Sequence, residues 1–163
     1  MAQVSLRPLM SSDAEAFMTW GGDSEVTWSL FWDHYTDVEV ARNFLRDVAE
    51  KHPWFMAICL DGAPVGAITL DKGKFRASVR AEIGYVISKA HWGQGVTTTA
   101  VKLALKKGFK DLDVQRIEAL VDPENISSIK VLEKSGFQKE GILKKYVVHR
   151  GRIRDRYIFS VTL

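Results

Sequence analysis

Two glycines separated by one residue stand between a predicted strand and a predicted helix. The segment is Trp92-Gly93-Gln94-Gly95-Val96-Thr97-Thr98, and the helix is expected to run from about Val96 to Lys107. A glycine loop at a helix start leaves backbone N–H groups that no carbonyl inside the helix can satisfy, and such donors suit a pyrophosphate. A Gly-x-Gly before a helix is also an ordinary turn, and this one lacks the P-loop pattern and the third glycine of a dinucleotide fingerprint. The loop therefore points to a phosphate ligand without identifying it.

A second candidate for chemistry is Glu82, in the strand predicted just before the glycine loop. Strand alternation places Arg80, Glu82 and Gly84 on one face of this strand. Because Gly84 has no side chain, water or a substrate has room in front of the Glu82 carboxylate. The carboxylate could therefore act as a general base. The alternative is a solvated glutamate that pairs with Arg80.

Three segments in this order resemble the GCN5-related N-acetyltransferases, and most closely their ribosomal-protein N-acetyltransferase branch. They are Ala81–Ile87, Trp92–Thr97 and Asn125–Phe137, followed by Gly141–Leu143 and Arg150–Asp155, which also fit that branch. The likeness runs along effectively the whole chain. It implies an α/β (mixed α+β) fold, in which one N-acetyltransferase domain spans residues 1–163. The implied sheet is central, splayed, mixed and mostly antiparallel, with about seven strands and helices on both faces.

The resemblance also implies a donor and an acceptor. Acetyl-CoA is the expected co-substrate, and its acetyl group is expected to pass directly to a primary amine in a ternary complex. The acceptor class is a protein N-terminus, a lysine or a polyamine-like amine, either on a small molecule or on a protein or peptide. No metal is expected, and the main-chain N–H of Ile87 is expected to stabilise the oxyanion. The residues expected to bind the coenzyme are Ile87, Trp92, Gly93, Gln94, Gly95, Val96, Thr97, Thr98, Asn125 and Ser128.

One departure from the family pattern concerns the proton donor. Many members have a tyrosine two residues before the lysine of their Leu-Tyr-Glu-Lys-x-Gly-Phe segment, and Leu132 stands there in this chain. Leucine cannot donate a proton, so Ser128, one helical turn earlier, is the expected replacement, with Asn125 ordering the pantetheine arm. A thiol with a pKa near about 8.5 leaves as thiolate with modest assistance. Both Asn125 and Ser128 could instead serve to cap the helix, and the two roles are compatible.

Charge is divided unevenly along the chain. Residues 1–71 carry 4 Lys/Arg and 11 Asp/Glu, a balance of −7, whereas residues 72–163 carry 19 and 9, a balance of +10. The glycine loop and the family motifs lie in the basic part, so coenzyme A is its expected anionic partner. Aromatic faces beside carboxylates suit a cationic amine, although packing alone would also explain each aromatic residue. The residues expected to bind the acceptor in the acidic part are Trp28, Phe31, Trp32 and Tyr35.

Composition argues against several other classes of protein. Cys59 is the one cysteine, and the four histidines lack metal-ligand spacing, so neither a disulfide framework nor a zinc site is expected. No apolar run approaches the ~20 residues that cross a bilayer. These observations predict a soluble, cytoplasmic protein in a reducing compartment, either a monomer or a homodimer, without a membrane partner.

Two other functions compete with amine acetylation. One is a catalytically weak acyl-CoA-binding or sensor domain, which Leu132 supports because it removes the usual proton donor. The other is an RNA- or ribosome-associated module. That module would use four alternating arginines, Arg150, Arg152, Arg154 and Arg156. No nucleic-acid-binding motif accompanies these arginines, so nucleic acid is not the expected partner.

Local signals predict the elements that must hold these residues, in the order βααβββαβαββ. Thr36 and Glu39 form a capping box that opens the second helix. Gly136 is expected just past the end of the last helix. A meander followed by strand, helix, strand and helix indicates a mixed sheet with helices on both faces.

Two hairpins are predicted from turn residues. Asp61-Gly62 connects the second and third strands, and Arg150-Gly151 connects the last two. The final hairpin is expected to pair residues 143–148 with residues 153–161. The four arginines would share one strand face only if the turn ended before Arg150, and Gly151 argues against that.

Overall fold

Seven strands form one sheet within residues 2–163, the part of the chain that the computed structural model describes. The strands are β1 (Val4–Pro8), β2 (Phe55–Leu60), β3 (Ala63–Lys72), β4 (Arg80–Ile87), β5 (Arg116–Val121), β6 (Gln138–His149) and β7 (Arg152–Thr162). Their order across the sheet is β1-β2-β3-β4-β5-β7-β6. β4 and β5 run parallel, whereas β1–β2, β2–β3, β5–β7 and β6–β7 are antiparallel. The predicted mixed, mostly antiparallel sheet of seven strands is confirmed.

Five α-helices occur in the same described residues. They are α1 (Ala14–Gly21), α2 (Ser24–Thr27), α3 (Val38–Phe44), α4 (Val96–Leu112) and α5 (Ile126–Lys134). The short α2 is the one addition to the predicted order, and Asp23 caps it by accepting the N–H of Glu25 at 2.9 Å. The capping box predicted at Thr36 is wrong by one residue, since the Asp37 carboxylate accepts the N–H of Glu39 at 2.8 Å. A carboxylate at this position also interacts favourably with the positive end of the helix.

The end of α5 matches the prediction. Gly136 has a φ of 90°, a left-handed conformation that glycine adopts without a Cβ clash. Its N–H donates to the carbonyl oxygen of Glu133 at 3.1 Å, and the N–H of Phe137 donates to that of Leu132 at 3.0 Å. These two bonds form a Schellman motif, which satisfies carbonyl groups that the helix end would leave open.

The predicted start of β6 is wrong, because the strand begins at Gln138 and not at residue 143. A polar run that includes Gly141 has little strand character of its own, and pairing with β7 supplies its hydrogen bonds. The pairing shifts register twice, between Lys139 and Gly141 and between Leu143 and Val147. Such bulges bend a strand and redirect its side chains.

The described chain divides into two compact units. Unit 1 runs up to Thr69 and includes Tyr85–Ala100, and unit 2 comprises Leu70–Gly84 and Val101–Leu163. Unit 1 has a buried apolar cluster from helices α1 to α3, strands β2 and β3 and the connecting segments. It consists of Leu9, Ala14, Phe17, Trp20, Val26, Ala41, Leu45, Ala49, Ala57, Cys59 and Ala67. Cys59 is therefore a buried core residue.

Unit 2 has its own core, in which helix residues cover one face of the strands. A Cβ added at Gly108 of α4 would lie 2.2 Å from Cδ1 of Leu70 on β3, so the glycine allows the helix to approach the strand closely. The core residues from this unit include Leu70, Ala81, Ile83, Val101, Ala104, Val114, Ile117, Ala119, Val121, Leu132, Phe137 and Phe159. Burial of these apolar side chains is the main stabilising contribution in this unit.

Candidate functional site

The glycine loop lies in unit 1 and has backbone geometry that favours glycine. Gly93 and Gly95 have φ angles of 72° and 78°, in the left-handed region that residues with a Cβ rarely adopt. A Cβ at either position would have no heavy atom within 4 Å. The space in front of both glycines is therefore open, and a side chain there would occupy it.

Backbone donors cluster where this loop enters α4. The N–H groups of Gly95, Val96, Thr97 and Thr98 have no acceptor within the described residues, whereas the N–H and hydroxyl of Thr99 both donate to the Gly95 carbonyl at 3.1 Å. The first turn of a helix leaves such donors open and carries the positive end of the helix dipole. The side chain of Val96 is buried, so only its backbone is available to a ligand. This arrangement can bind a pyrophosphate.

Two side chains of the loop hold the loop itself. The indole N–H of Trp92 donates to the carbonyl oxygen of Ile87 at 3.0 Å, which ties the loop to the end of β4. The amide of Gln94 donates to the carbonyl oxygen of Ala90 at 3.2 Å. Both side chains therefore position backbone groups, and the predicted contact of either side chain with the coenzyme stays a prediction.

Gly66 on β3 supports the end of β4, and the sequence analysis did not single it out. A Cβ at Gly66 would lie 2.3 Å from the carbonyl oxygen of Val86 and 2.9 Å from Cα of Ile87. The N–H of Ser88 donates to the carbonyl oxygen of Val65 at 2.8 Å, so β3 also orders the residue after β4. A glycine inside a strand often marks such a close approach, and that signal was present in the sequence.

Glu82 lies in unit 2, on the exposed face of β4. Its neighbours Ala81 and Ile83 are buried on the opposite face, which confirms the predicted alternation. Burial of the carboxyl group raises the pKa of Glu82, although the residue as a whole stays exposed, and the negative charge of Glu118 raises it further. A carboxylate with a raised pKa is a better proton acceptor. Within residues 2–163, the Glu82 carboxylate accepts no hydrogen bond.

The alternative interpretation, that Glu82 pairs with Arg80, is wrong, because Arg80 pairs with a different carboxylate. The Nε atom of Arg80 lies 3.1 Å from a carboxylate oxygen of Glu118 on β5. Arg116 bonds the other Glu118 oxygen at 2.9 Å and also holds Glu140 on β6 at 2.6 Å. The result is a chain of ion pairs across the strands of unit 2, which the sequence analysis did not foresee.

Asn125 and Ser128 occupy the start of α5, also in unit 2. Asn125 is the N-cap, and its side-chain oxygen accepts the N–H of Ser128 and the hydroxyl of Ser127, each at 3.2 Å. The capping role considered for Asn125 is thus confirmed. Leu132 has no exposed surface, so the position where many family members have a tyrosine belongs here to the hydrophobic core. The role of Ser128 as proton donor stays a prediction.

The arginine cluster at the end of the chain is not an open basic surface. Arg150 and Gly151 form the turn, with φ angles of 51° and 77°, so Arg150 does not share a strand face with the others. Arg154 and Arg156 both bond Asp122, at 2.8 Å and 3.2 Å. The Arg154 guanidinium lowers the pKa of Asp122 to about 2. Two of the four arginines therefore anchor the β5–α5 loop, which weakens the case for RNA binding.

The four predicted acceptor residues divide into two pairs in unit 1. Tyr35 is half-buried and packs on Phe17, with ring centroids 5.4 Å apart, and Trp32 packs on Tyr35 at 5.6 Å. Burial raises the pKa of the Tyr35 hydroxyl. Trp28 and Phe31 are 64% and 66% exposed. Ring packing thus accounts for Tyr35 and in part for Trp32, which is 37% exposed, while Trp28 and Phe31 have most of their surface in solvent.

The predicted site residues are distributed over both units. Unit 1 holds the glycine loop, Ile87 and the four aromatic residues, and unit 2 holds Glu82, Asn125 and Ser128. Over residues 2–163, no three His, Cys, Asp or Glu side chains come together as a metal site would require. No helix in that part of the chain is both long and apolar enough to span a membrane.

Comparison with known proteins identifies the family. A family model described as an acetyltransferase (GNAT) domain matches residues 3–138. An uncharacterised N-acetyltransferase, p20, of Bacillus licheniformis is 33% identical over 98% of this chain and 92% of its own. Spermidine N(1)-acetyltransferase of Escherichia coli K12 is 28% identical over 93% of this chain and 82% of its own. The structure of Mycobacterium smegmatis RimJ in complex with CoA-disulfide is 30% identical, with a TM-score of 0.77 over 98% of this chain and 81% of its own.

Proposed function

This chain belongs to the acetyltransferase (GNAT) domain family, and on that premise we propose that it acetylates a cationic primary amine by direct transfer from acetyl-CoA. The family makes the chain an N-acetyltransferase with acetyl-CoA as donor. What we propose in addition is the role of each site residue, the direct mechanism and the charge of the acceptor. The glycine loop carries the proposal, because its open N–H donors suit the pyrophosphate of coenzyme A.

Coenzyme binding is assigned to main-chain groups of the loop. The residues are Trp92, Gly93, Gln94, Gly95, Val96, Thr97 and Thr98. The left-handed φ angles of Gly93 and Gly95 turn the backbone so that α4 begins with four open donors. Asn125 and Ser128 are assigned to the pantetheine arm. The main-chain N–H of Ile87 is assigned to the oxyanion, and the Trp92 bond to the Ile87 carbonyl supports this role by fixing that peptide's neighbour.

Glu82 is the proposed general base. The acceptor arrives as an ammonium ion, and Glu82 takes one proton from it, so that the nitrogen lone pair can attack the acetyl carbon. A carbon–nitrogen bond forms, the carbon–sulfur bond breaks, and the second proton of the nitrogen ends on the sulfur of coenzyme A. The raised pKa of Glu82 supports the assignment because it brings the carboxylate closer to the amine in proton affinity.

Ser128 is the proposed relay for that second proton. Its hydroxyl can donate to the sulfur and accept from the nitrogen in the same step, whereas Leu132 can do neither. Because a thiolate is a good leaving group, the relay contributes modestly. Replacement of Ser128 by alanine is expected to lower the rate less than replacement of Glu82.

The acceptor is proposed to be cationic. Trp28 and Phe31 expose aromatic faces in a part of the chain that carries an excess of carboxylates, and ammonium groups bind well over such faces. A relative with a polyamine substrate, the spermidine acetyltransferase, is consistent with this class. A protein N-terminus and a lysine side chain remain within the same class.

Release of free thiol from acetyl-CoA tests the function. The acceptors would be spermidine, a peptide with a basic N-terminus, a peptide with an internal lysine, and neutral and acidic amino acids as controls. We expect thiol release that depends on the acceptor and is fastest with the cationic amines. Coenzyme binding without thiol release for any amine would show instead an acyl-CoA-binding or sensor domain, the function that Leu132 supports.

A further inference from the structure

Arg80 and Glu82 have opposite charges and point to the same side of β4, two residues apart. Residues at this spacing in a strand are neighbours on one face, so an ion pair between them is the simplest expectation. The structure shows a different partner. The Nε atom of Arg80 bonds a carboxylate oxygen of Glu118 at 3.1 Å, and Glu82 stays without a hydrogen bond in the described chain.

Glu118 is well placed to compete for Arg80. It lies directly opposite Glu82 in the parallel pairing of β4 and β5, so both carboxylates are within reach of the Arg80 side chain. Its side chain is only 14% exposed, and Arg116 fixes its second oxygen at 2.9 Å. Glu118 is therefore a rigid acceptor, whereas Glu82 is exposed and would have to lose side-chain freedom to bind Arg80.

We propose that Glu118 is a positioning residue that keeps Glu82 available as a proton acceptor, because it takes up the Arg80 guanidinium that would otherwise pair with Glu82. The proposal rests on the general-base role of Glu82 proposed above. It assigns Arg80 and Glu118 a role in the reaction although neither touches the substrate. It also explains why a second carboxylate lies beside the base on the same face of the strands.

Three charged groups face Glu82 from the elements around it. They are Arg80 on β4, Glu118 on β5 and Asp71 on β3. The carboxylates of Glu118 and Asp71 raise the pKa of Glu82, as does burial, and Arg80 lowers it. If Glu118 became neutral, one of the raising charges would be lost, and Arg80 would be free to turn to Glu82. Both changes favour the ionised form of Glu82, so its pKa would fall.

The experiment titrates Glu82 directly and through activity. The δ-carboxyl carbon of Glu82 is followed by ¹³C NMR against pH, and kcat/KM is measured over the same pH range. The variants are Glu118→Gln and Arg80→Gln. The matched control is Glu140→Gln, which removes a carboxylate from the same network but bonds Arg116 and not Arg80. Thermal unfolding is recorded for each variant to confirm folding.

The two test variants should move the titration in opposite directions. Glu118→Gln should lower the Glu82 midpoint and shift the acid limb of kcat/KM down by about one pH unit. Arg80→Gln should raise the midpoint, and Glu140→Gln should leave it close to the wild-type value. Damage to the fold would not produce shifts of opposite sign. Since Arg80 is nearly half exposed, Arg80→Gln also provides a test if Glu118→Gln does not fold.

Two other results would overturn different claims. An unchanged or raised Glu82 midpoint in Glu118→Gln would overturn the role of Glu118. If the acid limb of kcat/KM is the same in all three variants while the NMR midpoints move as stated, the effect of Glu118 on Glu82 is confirmed. The base role of Glu82 is then wrong. The two claims can therefore fail separately.

Discussion

At the scale of single residues, the carboxylate of Glu82 differs from three other carboxylates of unit 2, because no cation within residues 2–163 forms an ion pair with it. Asp122, Glu118 and Glu140 are each held by an arginine, and the arginine bonds lower the pKa of Asp122 and Glu140 to about 2. Burial and nearby carboxylates act in the opposite direction at Glu82. A group that must take up a proton needs this second kind of environment, because a paired carboxylate is a weaker base.

Replacement of Glu82 by glutamine therefore tests the base directly. An amide cannot accept the proton, so we expect kcat/KM with spermidine to fall by about 10²- to 10⁴-fold. If Glu82 is the base, the wild type needs its ionised carboxylate, so we expect kcat/KM to fall as the pH drops through the raised pKa of Glu82. That limb should disappear in Glu82→Gln. A wild-type pH profile in the variant would rule out Glu82 as the base, and Glu140→Gln is the control for loss of charge.

Gly95 provides a second test at this scale. Gly95→Glu would place bulk and negative charge in front of the open backbone donors, so we expect loss of coenzyme binding in calorimetry. Gly62→Glu is a matched control, since Gly62 has a φ of 84° and equally open space at a hairpin turn. Both variants carry the same backbone strain. Loss of binding in both would show that strain, and not the loop, is responsible.

At the scale of elements, α5 is fixed at its start by the loop that follows β5. Asp122 in this loop accepts bonds from Arg154 at 2.8 Å and 3.0 Å, and from Arg156 at 3.2 Å. Asn125, three residues later, caps the helix. Two strand arginines thus hold the segment that presents the proposed coenzyme residues, which is a structural use for part of the basic cluster.

The variant Asp122→Asn should loosen this segment. We expect the free energy of unfolding in urea to fall by about 1–3 kcal/mol at neutral pH, since hydrogen bonds to a charged group are lost. The pKa of Asp122 is lowered to about 2, so its stabilisation is complete above the unfolded value of about 4. It is lost as the pH falls through about 2, so wild type and variant should converge there. Asp47→Asn, at the exposed pair with Arg46, should change stability little, because exposed ion pairs contribute little.

The far end of α5 offers an independent test of helix geometry. Gly136→Ala should destabilise the protein by about 1–2 kcal/mol, because alanine must adopt the left-handed φ of 90°. Gly141→Ala is the control, since its φ is not in that region and no atom lies within 4 Å of the added Cβ. If both variants lose the same free energy of unfolding in urea, the left-handed Schellman motif at Gly136 is contradicted.

At the scale of the whole molecule, part of the charge asymmetry is absorbed within the fold. Asp23 and Asp37 cap helices, Glu25 pairs with Lys89 at 2.8 Å, and Asp13 pairs with Arg7 at 2.8 Å. The remaining carboxylates of the acidic part would attract the proposed cationic acceptor over a long range.

This attraction should depend on salt. We expect the KM for spermidine to rise several-fold between about 0.05 and about 0.5 M NaCl, because the Debye length shortens from about 14 Å to about 4 Å. The KM for a neutral amine acceptor should change far less over the same range. Equal salt dependence for both acceptors would mean that charge does not select the acceptor.

Features that depend on neighbouring residues along the chain were accessible from the sequence. The glycine loop, the αL glycine after α5, both hairpin turns and the alternation around Glu82 all follow from backbone preferences within a few residues. The family motifs then implied the seven-stranded sheet, which the structure confirms.

Only the tertiary structure decided which groups meet. The pairing of Arg80 with Glu118, of Asp122 with Arg154, and the approach of Gly66 to Val86 depend on which strands lie side by side. The same holds for the packing of Tyr35 on Phe17 and for the extension of β6 to Gln138, where a partner strand supplies hydrogen bonds that local propensity does not. A charged side chain binds whichever opposite charge the fold brings within reach, and residues 32 to 38 positions apart in the chain carry no local signal of that contact.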